Sequence, residues 1–213
     1  SLYFFTENTA LGITQASNVS FIICTAPLLT TILSLLFYKS EKASKGLIYG
    51  SLLALMGVGL IVFNGSFVLK ISPIGDLLTL LAALSWAFYS LIIKKMAGRY
   101  PTVFITRKIF FYGVLTILPA FLLHPLQPDT AVLLQPGVLF NLLFLAVLAS
   151  LICYVLWNVV LKQLGTVRAS NYIYLNPLVT MIASSLILDE KITLVALGGA
   201  ACIVCGVYWA EKK

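Results

Sequence analysis

The sequence predicts an all-α polytopic membrane protein, and its composition and long apolar stretches are the observations behind this prediction. Of the 213 residues, 61% are hydrophobic and 10% are charged, and the mean hydropathy is +1.04. Soluble domains are close to half apolar and one quarter charged, so this composition does not fit a single water-soluble globule. The sequence also lacks the ten-residue alternating segments of a membrane β-barrel, and we therefore expect helices.

Seven apolar stretches are each long enough for a transmembrane helix of roughly 20 residues. They cover residues 16–38, 46–63, 76–94, 101–123, 138–161, 169–188 and 193–210. Turn-forming residues separate several of them at Gly65, at Pro73 and across residues 125–136, whereas Pro101 stands at a helix start, where proline is tolerated. Residues 1–5 are interpreted as the end of a further helix.

The basic residues predict which side of the membrane each connection faces. Twelve of the 14 lysines and arginines fall in alternate connections or in the C-terminal tail, and Lys70 and Lys191 fall on the other side. Lysine and arginine near helix ends concentrate in the cytoplasm. We therefore expect an integral plasma membrane protein with a cytoplasmic C-terminus; the expected location is the bacterial inner membrane. Because this topology accounts for the net charge of +7, no nucleic-acid partner is expected.

Two parts of the sequence resemble each other at offsets of 149 to 153 residues. The matched segments are 11–12, 16–18, 27–34, 41–42 and 50–58 in one copy and 164–165, 169–171, 177–184, 190–191 and 199–207 in the other. The copies begin five helices apart, and an odd number reverses the direction of crossing. Residues 1–70 are thus interpreted as the C-terminal part of a first repeat that lacks about two and a half helices, and residues 71–213 as a complete, inverted second repeat of five helices.

Each copy carries an Ala-Ser-Asn segment, a proline motif and a glycine-rich last helix. The motifs read TQASN and TAPL at residues 14–18 and 25–28, and RASN, YLNPL and LDEK at residues 168–171, 174–178 and 188–191. This pattern resembles the EamA-type transporters of the drug/metabolite transporter superfamily, which have ten helices in two inverted repeats. The resemblance implies a substrate path between the repeats, and export of a small metabolite, an amino-acid-like solute or a drug by alternating access.

Pro27 and Pro177 stand near the middle of their predicted helices, at corresponding positions of the two copies. Each lacks an N–H and crowds the carbonyl four residues earlier, which bends the helix and leaves that acceptor without its usual bond. Proline-interrupted helices at matched positions point to the binding region of a transporter. The alternative is a kink that only lets the helices pack, because proline is common in membrane helices.

Polar side chains of these two helices are candidates for substrate contact. Asn18 and Thr25 share one helix face, and Asn171 and Tyr174 are neighbours one turn apart. An amide that faces lipid finds no water to bond, so we expect these side chains to point into the bundle. They either line an outer and an inner vestibule of the substrate path or join helices through hydrogen bonds.

Aromatic side chains form a further group of candidates. Trp86 and Tyr89 are one turn apart near the middle of their helix, and Tyr154 and Asn158 share a face near the cytoplasmic end of another. Rings with a polar tip suit a planar or partly apolar solute. An interfacial belt is the alternative, because tryptophan and tyrosine are common at membrane surfaces.

The sequence contains no pattern typical of an enzyme. It has no G-x-S-x-G or H-E-x-x-H motif, its one histidine, His124, is in a loop, and its four cysteines suit packing. We therefore expect no enzymatic activity, no metal and no cofactor. All acidic residues are assigned to span ends or loops, so no proton-relay carboxylate is expected at mid-membrane.

A stripe of small residues on one helix predicts a close helix contact. Gly50, Ala54 and Gly57 form it in the first copy, and Gly199 and Gly206 match it in the second. The stripe serves either packing within the chain or a homodimer. The expected partners are thus the lipid bilayer, a small-molecule substrate and, in the second case, another copy of the chain.

A membrane channel or a non-transporting scaffold is the alternative to a transporter.

Overall fold

The structure is a computed structural model that describes residues 2–38, 44–63, 72–123, 130–188 and 192–212. Within these ranges it contains helices and no strand. The α-helices are α1 (Leu2–Leu11), α2 (Ala16–Ile23), α3 (Ala26–Phe37), α4 (Lys45–Phe63), α5 (Pro73–Ala97), α6 (Thr102–Leu123), α7 (Thr130–Leu133), α8 (Pro136–Leu143), α9 (Cys153–Leu164), α10 (Thr166–Asn171), α11 (Asn176–Leu188) and α12 (Leu194–Glu211). A π-helical stretch, Phe144–Ile152, joins α8 to α9, and a 3₁₀-helix, Tyr172–Leu175, joins α10 to α11.

Among the described residues, six helical stretches are long and apolar enough to cross a bilayer. They are Ala16–Phe37, Lys45–Phe63, Pro73–Ala97, Thr102–Pro119, Pro136–Leu164 and Leu194–Glu211. The prediction of an all-α polytopic membrane protein is confirmed. The seventh predicted span, residues 169–188, is also helical. It is divided into α10, the 3₁₀-helix and α11, because the helix type changes within it. The predicted turn at Gly65 and the loop position of His124 lie outside the described residues.

The first proline helix is interrupted rather than merely bent. α2 ends at Ile23, and α3 begins at Ala26 with Pro27 in its first turn. Because Pro27 has no N–H to donate to the carbonyl of Ile23, the regular helical pattern cannot continue. Thr25 closes the intervening turn, since its N–H and its hydroxyl both donate to the carbonyl of Ile22, at 2.9 and 2.7 Å.

The second proline helix changes type just before its proline. The 3₁₀-helix follows Asn171, and Pro177 is the second residue of α11. The N–H of Asn176 donates to the carbonyl of Ile173, three residues earlier, in the tighter pattern of a 3₁₀ turn. Pro177 cannot serve that carbonyl, so the 3₁₀ turn supplies the missing donor. The predicted disturbance of the helix at both prolines is therefore confirmed.

The chain forms two compact units. The smaller unit comprises residues 93–165, with the end of α5 and helices α6 to α9. The larger unit comprises residues 2–92 and 166–213, with α1 to α4, most of α5 and α10 to α12. The larger unit thus takes helices from both copies predicted from the sequence, residues 1–70 and 71–213.

Helices α4 and α12 form a close pair within the larger unit. A Cβ placed on Gly206 would lie 2.6 Å from the carbonyl oxygen of Gly50, and one on Gly199 would lie 2.7 Å from that of Gly57. Residue numbers rise along α4 as they fall along α12, so the two helices are antiparallel. Because only glycine lets backbones approach this closely, the predicted small-residue stripe packs within the chain.

Helix ends with basic residues meet on one side of the larger unit. The Tyr38 hydroxyl after α3 donates to the carbonyl of Leu91 at 3.2 Å, and the Thr166 hydroxyl at the start of α10 donates to that of Ser90 at 3.3 Å. A Cβ on Gly46, next to Lys45, would lie 3.3 Å from the carbonyl oxygen of Lys212. The side of the membrane that these ends face stays a prediction. The opposite side is formed by the turn before α2 and the start of α5.

Candidate functional site

Four side chains of α1 and α5 form what we call the aromatic–carboxylate cluster: Tyr3, Glu7, Trp86 and Tyr89. Tyr3 and Glu7 are one turn apart on α1, and the Tyr3 hydroxyl donates to Glu7 Oε1 at 2.9 Å. The centroid of the Tyr3 ring lies 5.3 Å from that of Trp86. The Trp86 centroid lies 5.4 Å from that of Tyr89. A continuous series of contacts therefore links one carboxylate to three rings.

All four members of the aromatic–carboxylate cluster are partly exposed. Partial exposure lets a side chain contact a solute, while packing against neighbours keeps its position defined. The predicted pairing of Trp86 with Tyr89 is present as a ring contact.

Tyr3 and Glu7 are not among the site residues predicted from the sequence. The helix end expected at residues 1–5 extends through Leu11, so Glu7 lies inside α1 rather than in a loop. The spacing of Tyr3 and Glu7, four residues apart in a helix, was the available signal.

A second group of polar side chains is buried inside the larger unit. The Ser51 hydroxyl donates to Asn171 Oδ1 at 3.3 Å, which connects α4 to α10. Asn171 and Tyr174 are both 0% exposed, and Tyr174 packs in a core cluster with Ala54 and Val58. Among the described residues, Asn171 Nδ2 has no hydrogen-bond partner. These side chains point into the bundle, as predicted, and are closed to a solute in this arrangement.

Three of the other four predicted residues of the proline helices are also withdrawn from solvent. Asn18 on α2 is 3% exposed, and Pro27 and Pro177 are buried. Thr25 is partly exposed, but its hydroxyl donates to a carbonyl of its own turn. The structure therefore places Thr25, Pro27 and Pro177 at the helix interruptions and Asn18 on α2, before the first of them.

Tyr154 and Asn158 lie in the smaller unit, where both contact α6. Asn158 is 2% exposed, and its Nδ2 donates to the Thr106 hydroxyl at 2.9 Å. Thr106 in turn donates to the carbonyl of Thr102 at 3.0 Å. The ring of Tyr154 meets that of Phe110 edge to face at a centroid distance of 5.6 Å. These contacts join α9 to α6.

No group of three or more histidine, cysteine or acidic side chains among the described residues is arranged to hold a metal ion. The polar groups present are instead hydroxyls, amides and one carboxylate beside aromatic rings. Such groups bind organic solutes through hydrogen bonds, ring contacts and charge.

Comparison with known proteins matches the chain to a transporter family and to proteins named as transporters or efflux pumps. Residues 73–210 match the profile of the EamA-like transporter family. An uncharacterized transporter of Archaeoglobus fulgidus is 30% identical over 206 residues, which cover 96% of this chain and 70% of the relative. Two relatives carry the name "Probable amino-acid metabolite efflux pump". The one from Salmonella typhimurium is 29% identical, covering 81% of this chain and 60% of its own. The one from Escherichia coli is 24% identical, covering 93% and 69%.

A crystal structure with 18% sequence identity shares the fold, with a TM-score of 0.85. The match covers 98% of this chain and 71% of that chain. The matches thus span between 60% and 71% of the lengths of these four proteins.

Proposed function

Because the chain belongs to the EamA-like transporter family, we propose that it is a secondary transporter that exports a small metabolite by alternating access. Its family and the six apolar helices in the described part of the chain identify an integral membrane protein that transports small solutes. The names of the Salmonella and Escherichia coli relatives favour an amino-acid-like cargo, and a drug is the other candidate. We further propose the bacterial inner membrane as its location, with the C-terminus in the cytoplasm.

The aromatic–carboxylate cluster is the observation that carries the assignment of a solute site. Its rings are partly exposed, whereas Asn18, Asn171 and Tyr174 are 3% exposed or less. Alternating access needs groups that are reachable in one state and closed in the other. In this proposal Trp86 and Tyr89 belong to the open part of the path, and the buried polar side chains belong to the part that opens after the helices move.

The contacts between α4 and α12 support two inverted copies. In the sequence alignment of the copies, Gly50 corresponds to Gly199 and Gly57 corresponds to Gly206. A twofold relation would turn the contact of Gly50 with Gly206 into a contact of Gly199 with Gly57, and both contacts are present. We infer that the copies move against each other about an axis that passes between these two helices.

The helix interruptions at Pro27 and Pro177 support the same mechanism. Each interruption leaves a short segment whose hydrogen bonds follow a turn or 3₁₀ pattern rather than the α pattern. Broken helices at corresponding positions are typical of transporters whose two halves close around a central site. In this proposal the segments absorb the changes of backbone angle when the path changes its open side.

Transport into proteoliposomes tests the proposal. The purified chain is reconstituted, and uptake and counterflow of radiolabelled amino acids are measured as a function of concentration. A transporter gives saturable flux and counterflow. Flux that rises linearly with concentration favours the channel, and absence of flux for every solute favours the scaffold.

Two substitutions test the site itself. We expect Trp86→Ala to lower transport about ten-fold or more, as loss of a central aromatic contact does at a binding site. We expect Asn171→Ala to lower it as well, without loss of membrane insertion. Phe88→Ala is the matched control, because Phe88 lies on the same helix and is 43% exposed. Wild-type flux from both site variants would contradict the assignment.

A further inference from the structure

Glu7 is a half-buried carboxylate beside aromatic rings. Among the described residues, Tyr3 is its hydrogen-bond partner, and no lysine or arginine forms an ion pair with it. An ionised carboxylate offers about four acceptor positions, so one hydroxyl leaves most of them for another donor. Partial withdrawal from water disfavours the ionised form of a carboxylate, and a cation that joins it favours that form again.

The rings beside Glu7 are suited to the same kind of ligand. The face of a tryptophan or tyrosine ring attracts a cation within about 6 Å of its centroid. Trp86 contacts both Tyr3 and Tyr89, with interplanar angles of 52° and 39°. Because the Tyr3 hydroxyl donates to Glu7 and the Tyr3 ring contacts Trp86, a cationic group held by Glu7 would lie at one end of this series of rings from two helices.

The acidic and basic residues of α5 are Asp76 in its first turn and Lys94 and Lys95 in its last turn, and none of them is a partner of Glu7. The Asp76 carboxylate accepts hydrogen bonds from the Thr14 hydroxyl at 3.4 Å and from the N–H of Ser72 at 3.2 Å. Helix α2, which follows α1, has no acidic or basic residue between Ala16 and Ile23. The basic helix ends of the larger unit, with Lys45 and Lys212, meet on the side opposite to the end of α1.

We propose that the aromatic–carboxylate cluster binds the ammonium group of a soluble cationic amine, with Glu7 as its counter-ion and Trp86 and Tyr89 as its aromatic walls. The assignment rests on the proposed transport function and names the substrate class of that site. In it, Tyr3 is a positioning residue, because its hydroxyl donates to the Glu7 carboxylate while its ring contacts Trp86. The path then selects its cargo by charge at Glu7 and by shape at the rings.

Three indole compounds that differ mainly in charge provide the test. Tryptamine is a cation, tryptophol is neutral and indole-3-propionate is an anion, and their binding to the chain in phosphatidylglycerol nanodiscs is measured by calorimetry. We expect wild type to bind tryptamine about ten-fold or more tightly than tryptophol, as an ion pair with cation–π contacts provides. Equal affinities for the three compounds would overturn the proposal.

The variants separate charge from shape. We expect Glu7→Gln to abolish the preference for tryptamine and to leave tryptophol binding unchanged. We expect Trp86→Ala to weaken both compounds. Glu211→Gln is the matched control, because it removes one carboxylate at the end of α12, on the side of the basic helix ends, and should keep the wild-type preference. A wild-type preference in Glu7→Gln, with binding intact, would overturn the role of Glu7.

A lipid headgroup is the other source of an ammonium ion. Binding of tryptamine is therefore repeated in nanodiscs that contain phosphatidylethanolamine. Unchanged affinity supports a soluble amine, and displacement of tryptamine would overturn that assignment in favour of a lipid. The outcomes also separate the two proposals. Saturable transport of other solutes without charge preference contradicts the amine site alone, whereas tryptamine binding without any transport contradicts the proposed function alone.

Discussion

Gly50 and Gly206 bring helices from distant parts of the chain into backbone contact, because a Cβ on Gly206 would lie 2.6 Å from the carbonyl oxygen of Gly50. No side chain fits between backbones at this separation. The same geometry recurs at Gly57 and Gly199 two turns away. Close packing of small residues is a main source of helix association in lipid, where the hydrophobic effect does not favour one apolar partner over another.

This contact predicts opposite effects of the same substitution at two positions of α12. We expect Gly206→Ala to lower the free energy of unfolding by about 1–3 kcal/mol, because the added methyl overpacks the interface. No atom lies within 4 Å of a Cβ placed on Gly198, so Gly198→Ala should be neutral or stabilising by up to about 1 kcal/mol through helix propensity. Thermal unfolding in detergent measures both. Equal stabilities of the two variants would contradict the packing role.

The interruption before Pro177 predicts a loss of transport without a loss of folding. Pro177→Ala restores an N–H that can donate to the carbonyl of Ile173, so the helix can become regular. We expect counterflow to fall about ten-fold, which corresponds to about 1.4 kcal/mol in the barrier. Pro119→Ala is the control, because Pro119 lies inside α6 and is exposed. Equal counterflow from both variants would show that the interruption is not needed.

The hydrogen bond between Asn158 and Thr106 predicts a measurable coupling between α9 and α6. A double-mutant cycle with Asn158→Ala and Thr106→Val, followed by unfolding in mixed micelles, isolates it. We expect a coupling energy of about 0.6 kcal/mol and at most about 1.7 kcal/mol, as for hydrogen bonds between other membrane helices. Additive effects of the two substitutions would mean that the bond contributes nothing.

The side shared by the basic helix ends predicts a labelling pattern. In a variant without its four native cysteines, single cysteines replace Lys45, Lys212 or Ser72. We expect an impermeant maleimide to label position 72 in intact cells and to label positions 45 and 212 only after permeabilisation, because basic ends face the cytoplasm. Labelling of positions 45 and 72 from the same side would contradict the topology.

Much of the fold was predictable because lipid restricts a chain to a few solutions. Apolar stretches of roughly 20 residues must become helices, since only helices and closed barrels satisfy the backbone in a bilayer. The disturbance at Pro27 and Pro177 was predictable for a similar reason, because a missing N–H acts locally. The π-helical stretch Phe144–Ile152 was not, because its side chains are as apolar as those of an ordinary helix.

The extension of α1 was also hidden, because its last two turns are polar. Their side chains bond back to the helix itself: Asn8 Nδ2 donates to the carbonyl of Phe4 at 2.8 Å, and the Thr9 hydroxyl donates to that of Phe5 at 2.7 Å. This polar stretch therefore remains helical. Glu7 lies within it, and its partner Tyr3 contacts the ring of Trp86 on α5. Pairs within one helix, such as Trp86 with Tyr89, follow from spacing, whereas contacts between α1 and α5 depend on packing that spacing does not encode.

The antiparallel pairing of α4 with α12 has a consequence for synthesis of the protein. The ribosome completes α4 long before α12. The glycine surface of α4 therefore has no partner helix while more than half of the 213 residues are made. Joining segments so distant in sequence is entropically costly and slow. Assembly of the larger unit thus needs α12, and a chain that stops before Leu194 lacks the helix that packs against Gly50 and Gly57 of α4.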